Sequence, residues 1–341
     1  MKARGPSRST VHRSRGMTLV ELMISMVLGL VVIGSVISVL VANKQSYRTN
    51  EALAQVQESA RTAFELLARD VQQAGSTGCD NTGRIANVLN PGTEWWQTWF
   101  GITGYDAAQA DPAVPVGTGD EERVNGTDSL QLQGVEGNGL SVEDHDPASP
   151  HFKINAATTS FNVDDILMVC DFDHAAIFQV SSYDSANVTV VHDVVTGTPA
   201  NCSTGLGYPT QCTPFGNVYE FGANSRIARV AAVDWYIGNN GRSTEGGRSL
   251  YRQRLSEGTG VESEEIVAGV SNMQIRYRLD NGNDFVDAAS MAPGDWANVN
   301  AALVTLTIWS ADQNVSTSTS VNSGRIQRSF TNLITLRNRV P

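Results

Sequence analysis

The chain has 341 residues, 41% hydrophobic and 17% charged, a balance that excludes a disordered or low-complexity protein and allows one large domain or two smaller ones. Its formal net charge is −11, and Lys2, Arg4, Arg8, Arg13 and Arg15 all precede Met17, so the remainder carries 19 basic against 35 acidic groups. Such a surface repels a phosphate backbone and keeps no basic stripe to counter that, which excludes nucleic acid as a partner.

Residues 1–16 form a basic leader ending at Gly16. From Met17 the sequence is apolar as far as Ala42, apart from Glu21. Leu22 to Ala42 is 21 residues without a charge, about 31 Å as a helix, which is enough to cross a bilayer. The five Lys/Arg before it, against only Lys44 and Arg48 just after it, place the N-terminus in the cytoplasm and the bulk of the chain beyond the membrane. A secretory signal peptide fits poorly, because the run exceeds an h-region and Leu40-Val41-Ala42 is not a small-x-small cleavage site. A plain anchor explains the length but not Glu21. An ionisable group at that depth costs roughly 2.5–3.5 kcal/mol, so it needs a partner.

No proline occurs between Pro6 and Pro91, and apolar residues recur beyond Ala42 at Leu53, Val56, Ala60, Phe64, Leu67 and Val71. These spacings of three and four predict an amphipathic helix over 43–78 that continues the membrane helix of 17–42 and stops at Gly75 and Gly78. Met17 to Ala74 then reads as one helix of about 87 Å, with Gly29 and Gly34 as weak points.

Gly16 followed by Met17-Thr18-Leu19-Val20-Glu21-Leu22 resembles the class III signal of type IV prepilins and type II secretion pseudopilins. The resemblance implies cleavage between Gly16 and Met17 by a prepilin peptidase and N-methylation of Met17. It also implies a role for Glu21, fifth in the mature chain, in assembly against the terminus of an adjacent subunit. Met17 stands where phenylalanine is commoner. Cleavage would create the cation that the Glu21 carboxylate requires.

Downstream, Gly75-Ser76-Thr77-Gly78-Cys79 closes the helix. Asp164-Asp165-Ile166-Leu167-Met168-Val169-Cys170-Asp171 and Ala175 to Val180 follow, then Ser249 to Arg252, Glu265 to Tyr277 and Leu333 to Arg339. This order resembles the PilW family of type IV minor pilins. It implies a non-enzymatic protein of a Gram-negative inner membrane, later part of the surface pilus. Other minor pilins, the major pilin and a PilY-type tip adhesin would be its partners, and priming of pilus growth, twitching motility and adhesion its roles. A GspJ-like pseudopilin and a membrane-tethered periplasmic binding domain stay open as alternatives.

Residues 79–341 read as a β-rich domain, so the fold class is α+β and pilin-like. Alternation marks strands at 129–132, 177–180, 188–191, 230–237, 273–279, 302–309 and 326–336, in antiparallel sheet. Residues 80–125 and 312–324, rich in small and polar types, read as surface loops. Among Cys79, Cys170, Cys202 and Cys212 there is no CxxC pair and no His at ligand spacing, which argues against zinc. Cys202 and Cys212 flank a Gly/Pro/Thr-rich loop and are expected to pair, leaving Cys79 with Cys170, one of three possible connectivities.

No catalytic or nucleotide-binding motif is present. His145, His151, His174 and His192 read as surface or turn residues, and Glu143-Asp144-His145-Asp146 as a solvated loop. Trp95-Trp96 and Trp99-Phe100 are expected to anchor a loop against the sheet, with a partner patch as the alternative. No cofactor is expected. A weak calcium candidate is the turn with Asp280, Asn281, Asn283 and Asp284, which lacks EF-hand spacing and reads first as a polar hairpin turn.

Overall fold

The computed structural model describes residues 16–79, 83–107, 109–137, 139–194, 199–280, 282–316 and 322–339. The basic leader before Gly16 lies outside the described residues. The chain divides into two compact units between Glu51 and Ala52.

A single helix, α1, runs Leu19–Gln73 and is long and apolar enough to cross a membrane. It continues through Gly29 and Gly34 without interruption. In the first unit its apolar side chains from Met17 to Val41 are almost all exposed. The hydroxyls of Ser25, Ser35 and Ser38 turn back to carbonyls of the helix itself, so these three side chains are satisfied within the helix.

In the second unit α1 buries Ala52, Val56, Ala60, Ala63, Leu67 and Val71. Leu53 and Phe64 are only half-buried, because the alanines beside them let the helix backbone lie closest to the sheets. Gly75 ends the helix in a left-handed conformation (φ +75°) and its N–H donates to the Gln133 carbonyl.

Among the described residues three sheets follow. The first is built on β10 (Arg226–Asn239), paired with β3 (Ser129–Glu136), β6 (Ile166–Cys170) and β11 (Arg248–Leu255). It extends through β7 (Ala175–Gln179) to β1 (Ile85–Asn87), through β11 to β12 (Val261–Ala268), and from β3 to β2 (Ile102–Tyr105). The β1–β7 pair is parallel, so this sheet is mixed and not purely antiparallel as expected. The second sheet has the order β14 (Phe285–Asp287), β13 (Val270–Leu279), β15 (Val299–Trp309), β16 (Gln327–Thr335), all antiparallel. The third comprises β4 (Val142–His145), β5 (His151–Ile154), β9 (Thr189–Val191) and β8 (Ser182–Asp184).

The buried stripe of α1 shares one core with β3, β10, β11, β13 and β15, through Leu130, Trp235, Leu250, Ile275 and Leu306 among others. The helix crosses the first sheet. The β12 end Ile266–Gly269 lies by Val56 and Ser59, Trp235 and Arg252 by Asp70, and Gln133 by Gly75. It runs alongside the second sheet, since Ile326 clusters with Ala52 while Asn338 reaches the Ala74 carbonyl.

The described residues of 80–125 do not form a surface loop. They contribute β1, β2 and the buried Trp95, Trp96, Val114 and Val124. Within the same stretch Arg123 is fully buried, its guanidinium donating to the carbonyls of Tyr105, Asp106, Gln109 and Thr127. That hydrogen bonding lets a polar-looking segment go inside. The histidine expectation is also corrected: His145, His174 and His192 are buried and only His151 is exposed. Glu143-Asp144-His145 forms most of β4 instead of a solvated loop, with His145 turned into an aromatic core.

Candidate assembly site

The first turn of α1 is organised by Thr18, whose Oγ1 accepts the Glu21 N–H at 3.2 Å. A threonine at this position satisfies one of the free N–H groups that open a helix. Gly16 and Met17 lie just ahead of the helix, with Met17 66% exposed. Glu21 projects from the first turn, where the N-terminal end of the helix dipole favours a carboxylate. Thus Gly16, Met17 and Glu21 fall within one short stretch at the end of a membrane-length helix.

At the other end α1 is tied to the first sheet by polar contacts. Trp235 Nε1 donates to Asp70 Oδ2 at 3.0 Å, Arg252 lies 3.6 Å from the same oxygen, and Arg252 stacks over the Trp235 ring and pairs with Glu264. Burial raises the Asp70 pKa, while Arg252 and the Trp235 hydrogen bond pull it down. Just beyond, Cys79 bonds to Cys170 of β6, and Cys202 bonds to Cys212. Trp95 and Trp96 anchor their loop in a cluster with Met168 and Ile177, whereas Trp99 is half-buried beside it.

A second polar cluster, not singled out from the sequence, fills the space between β3, β10 and the segment before β3. Ser129 Oγ and Gln131 Nε2 donate to Asp111, and Asp234 of β10 is fully buried beside them. Neither Asp234 oxygen meets a donor among the described residues. Burial, then the neighbouring Asp111 carboxyl, hold the Asp234 pKa well above the carboxylate range. Asp128 is pushed up to about 6, mainly by burial.

The calcium candidate falls in the turn after β13, where Asp280 donates its N–H to the Asn298 carbonyl and Asn283 and Asp284 are exposed. Asn281 lies outside the described residues. Among the described residues no three His, Cys, Asp or Glu side chains stand together as a metal-binding group.

Residues 11–37 match the family model of the prokaryotic N-terminal methylation motif. Residues 234–338, from Asp234 on β10 through β11 to β16, match that of the type IV pilus-assembly protein W. No curated protein and no solved structure matches the chain. One match falls on the α1 terminus and the other on the sheets that α1 packs against, so over these two stretches the chain is similar to proteins of the type IV pilus.

Proposed function

We propose that this chain is a minor pilin that primes type IV pilus growth and stays in the tip complex. In this reading a prepilin peptidase cuts after Gly16 at the cytoplasmic face and the new Met17 amine is methylated. Residues 17–42 hold the protein in the inner membrane until α1 moves into the growing filament, with the domain after Cys79 on the periplasmic side.

The observation that carries the proposal is Glu21, one carboxylate in an otherwise apolar membrane-length helix, five residues after Gly16. Buried alone it is unfavourable, and the amine released at Met17 of a neighbouring subunit is the cation that offsets it. The match over 234–338 favours a type IV pilus over a type II secretion system as the destination. The work of such a protein is assembly, with other minor pilins and the major pilin as partners.

Replacing Gly16 with tryptophan should leave an unprocessed precursor 16 residues longer, read by mass spectrometry of the membrane fraction. Glu21→Ala should be cut and inserted normally yet lower the pilus count sharply by electron microscopy. A wild-type pilus number in that variant would falsify the pairing.

A further inference from the structure

Two long strands leave an edge unpaired among the described residues, and they differ in how that edge is guarded. At one edge of the first sheet, β12 carries Glu262, Glu264 and Glu265, charged side chains that disfavour the addition of another strand. The edge of the second sheet, β16, is nine residues long with Arg328 as its one charge and no proline.

The direction of its free backbone groups follows from its ladder with β15. Ser310 N donates to the Ile326 carbonyl and Leu336 N to that of Asn300, so even-numbered residues of β16 turn toward β15. The N–H and C=O groups of Gln327, Ser329, Thr331, Leu333 and Thr335 therefore turn away from it. No backbone group among the described residues pairs with them, and only the Gln327 carbonyl is taken by a side chain, that of Arg328. On the outer face Thr305 bonds to Thr331, Thr307 to Ser329 and Trp309 to Gln327, and this polar ladder stops at β16. The same face exposes Leu333 to 48%. The inner face of the strand presents Arg328, half-buried Phe330 and Asn332.

The fold also limits what can occupy this edge. β16 starts beside Ala52 and ends near Ala74, so it runs in the direction of α1. Two copies whose helices point the same way cannot join β16 to β16 antiparallel, and the parallel arrangement is the weaker pairing. Within this sheet the free strand that runs opposite to β16 is β14, which has three residues, and the long edge at β12 is guarded by its glutamates.

We propose that β16 accepts an extended strand of a different protein, running opposite to α1. That strand would place hydroxyl side chains beside Ser329 and Thr331, an apolar residue beside Phe330 and a carboxylate beside Arg328. This goes beyond the pilin reading and does not depend on cleavage at Gly16, so the two can fail separately.

The test uses the full chain in detergent micelles and a nine-residue peptide alternating threonine with valine, one valine replaced by glutamate to face Arg328. Hydrogen exchange at residue resolution should slow at least tenfold at Ser329, Thr331 and Leu333, with no change at Phe330 and Asn332. Thr331→Pro removes an outward N–H and spares the β15 ladder, so it should abolish the protection and leave the circular dichroism unchanged. Leu333→Lys, which leaves the backbone intact and guards the edge with a charge, should do the same. Unchanged exchange at the three amides, or equal protection in Leu333→Lys, overturns the proposal. So does a dimer of the full chain that Leu333→Lys dissociates, which would give the edge to a second copy.

Discussion

Asp234 stands on β10 directly opposite Gln131 of β3, fully buried, with Asp111 alongside and the Arg123 guanidinium already committed to four carbonyls. Burial raises the Asp111 pKa as well, and two ionised carboxyls here would leave net negative charge beside the one guanidinium of Arg123. Burial and then Asp111 raise the Asp234 pKa, which favours the neutral carboxyl in the folded protein. A carboxyl raised in the folded state contributes stability below its unfolded pKa, near 3.9, and loses it as pH rises toward the folded value. Asp234→Asn removes that loss and supplies a donor toward Asp111. It should raise stability at pH 8 by at least about 1 kcal/mol in thermal unfolding, and a destabilised variant would count against the neutral carboxyl. Glu21 stands out in the sequence because the apolar residues around it are its neighbours in the chain. Asp234 does not, because its burial depends on Asp111 and on β3, more than a hundred positions away.

The small sheet β4-β5-β9-β8 closes over a core of Phe152, Phe178 and Phe221 that also holds His145 and His192, their ring centroids 6.0 Å apart. His145 Nδ1 accepts the Phe221 N–H, while neither ring nitrogen of His192 meets a partner among the described residues. Burial lowers the His145 pKa to about 4 and that of His192 to about 3. Both are below the unfolded value of 6.5, so the unfolded chain takes up more protons in acid and stability falls as pH drops from about 6.5 toward 4. Together the two should cost about 4 kcal/mol at pH 5 relative to pH 8, measured by urea unfolding. His192→Phe should remove roughly half of that pH dependence; an unchanged profile would argue against a neutral buried imidazole. Long alternating strands such as β10, β13 and β15 were readable from their apolar period. β12 was not, since Val261 to Glu265 carries three glutamates that are balanced by Arg242, Arg252 and Arg254 on other segments. The histidines misled for a similar reason, because one aromatic residue at i+7 or beyond says nothing about a shared core.

At the scale of the molecule, the order of long helix then sheets could be read from the sequence, and the division into three sheets could not, since it rests on pairings such as β1 with β7 across 88 residues or more. The Cys79–Cys170 bridge spans 91 positions, and a cross-link closing a loop of that size stabilises by roughly 4–5 kcal/mol in the chain-entropy account. Cys79→Ser should lose most of that in urea unfolding of the oxidised protein, and Cys202→Ser, which opens a span of ten, should lose less. A loss in Cys202→Ser equal to that in Cys79→Ser would contradict the loop-length argument. The bridge also decides how the protein carries tension. Along the covalent chain, a pull from the end of α1 toward β6 passes through Cys79 directly to Cys170, so the residues between them cannot be paid out while the bridge holds. Drawn straight they would yield about 300 Å of slack. With the bridge closed, that length stays out of reach of any pull on the two cysteines, and reducing the bridge releases the chain.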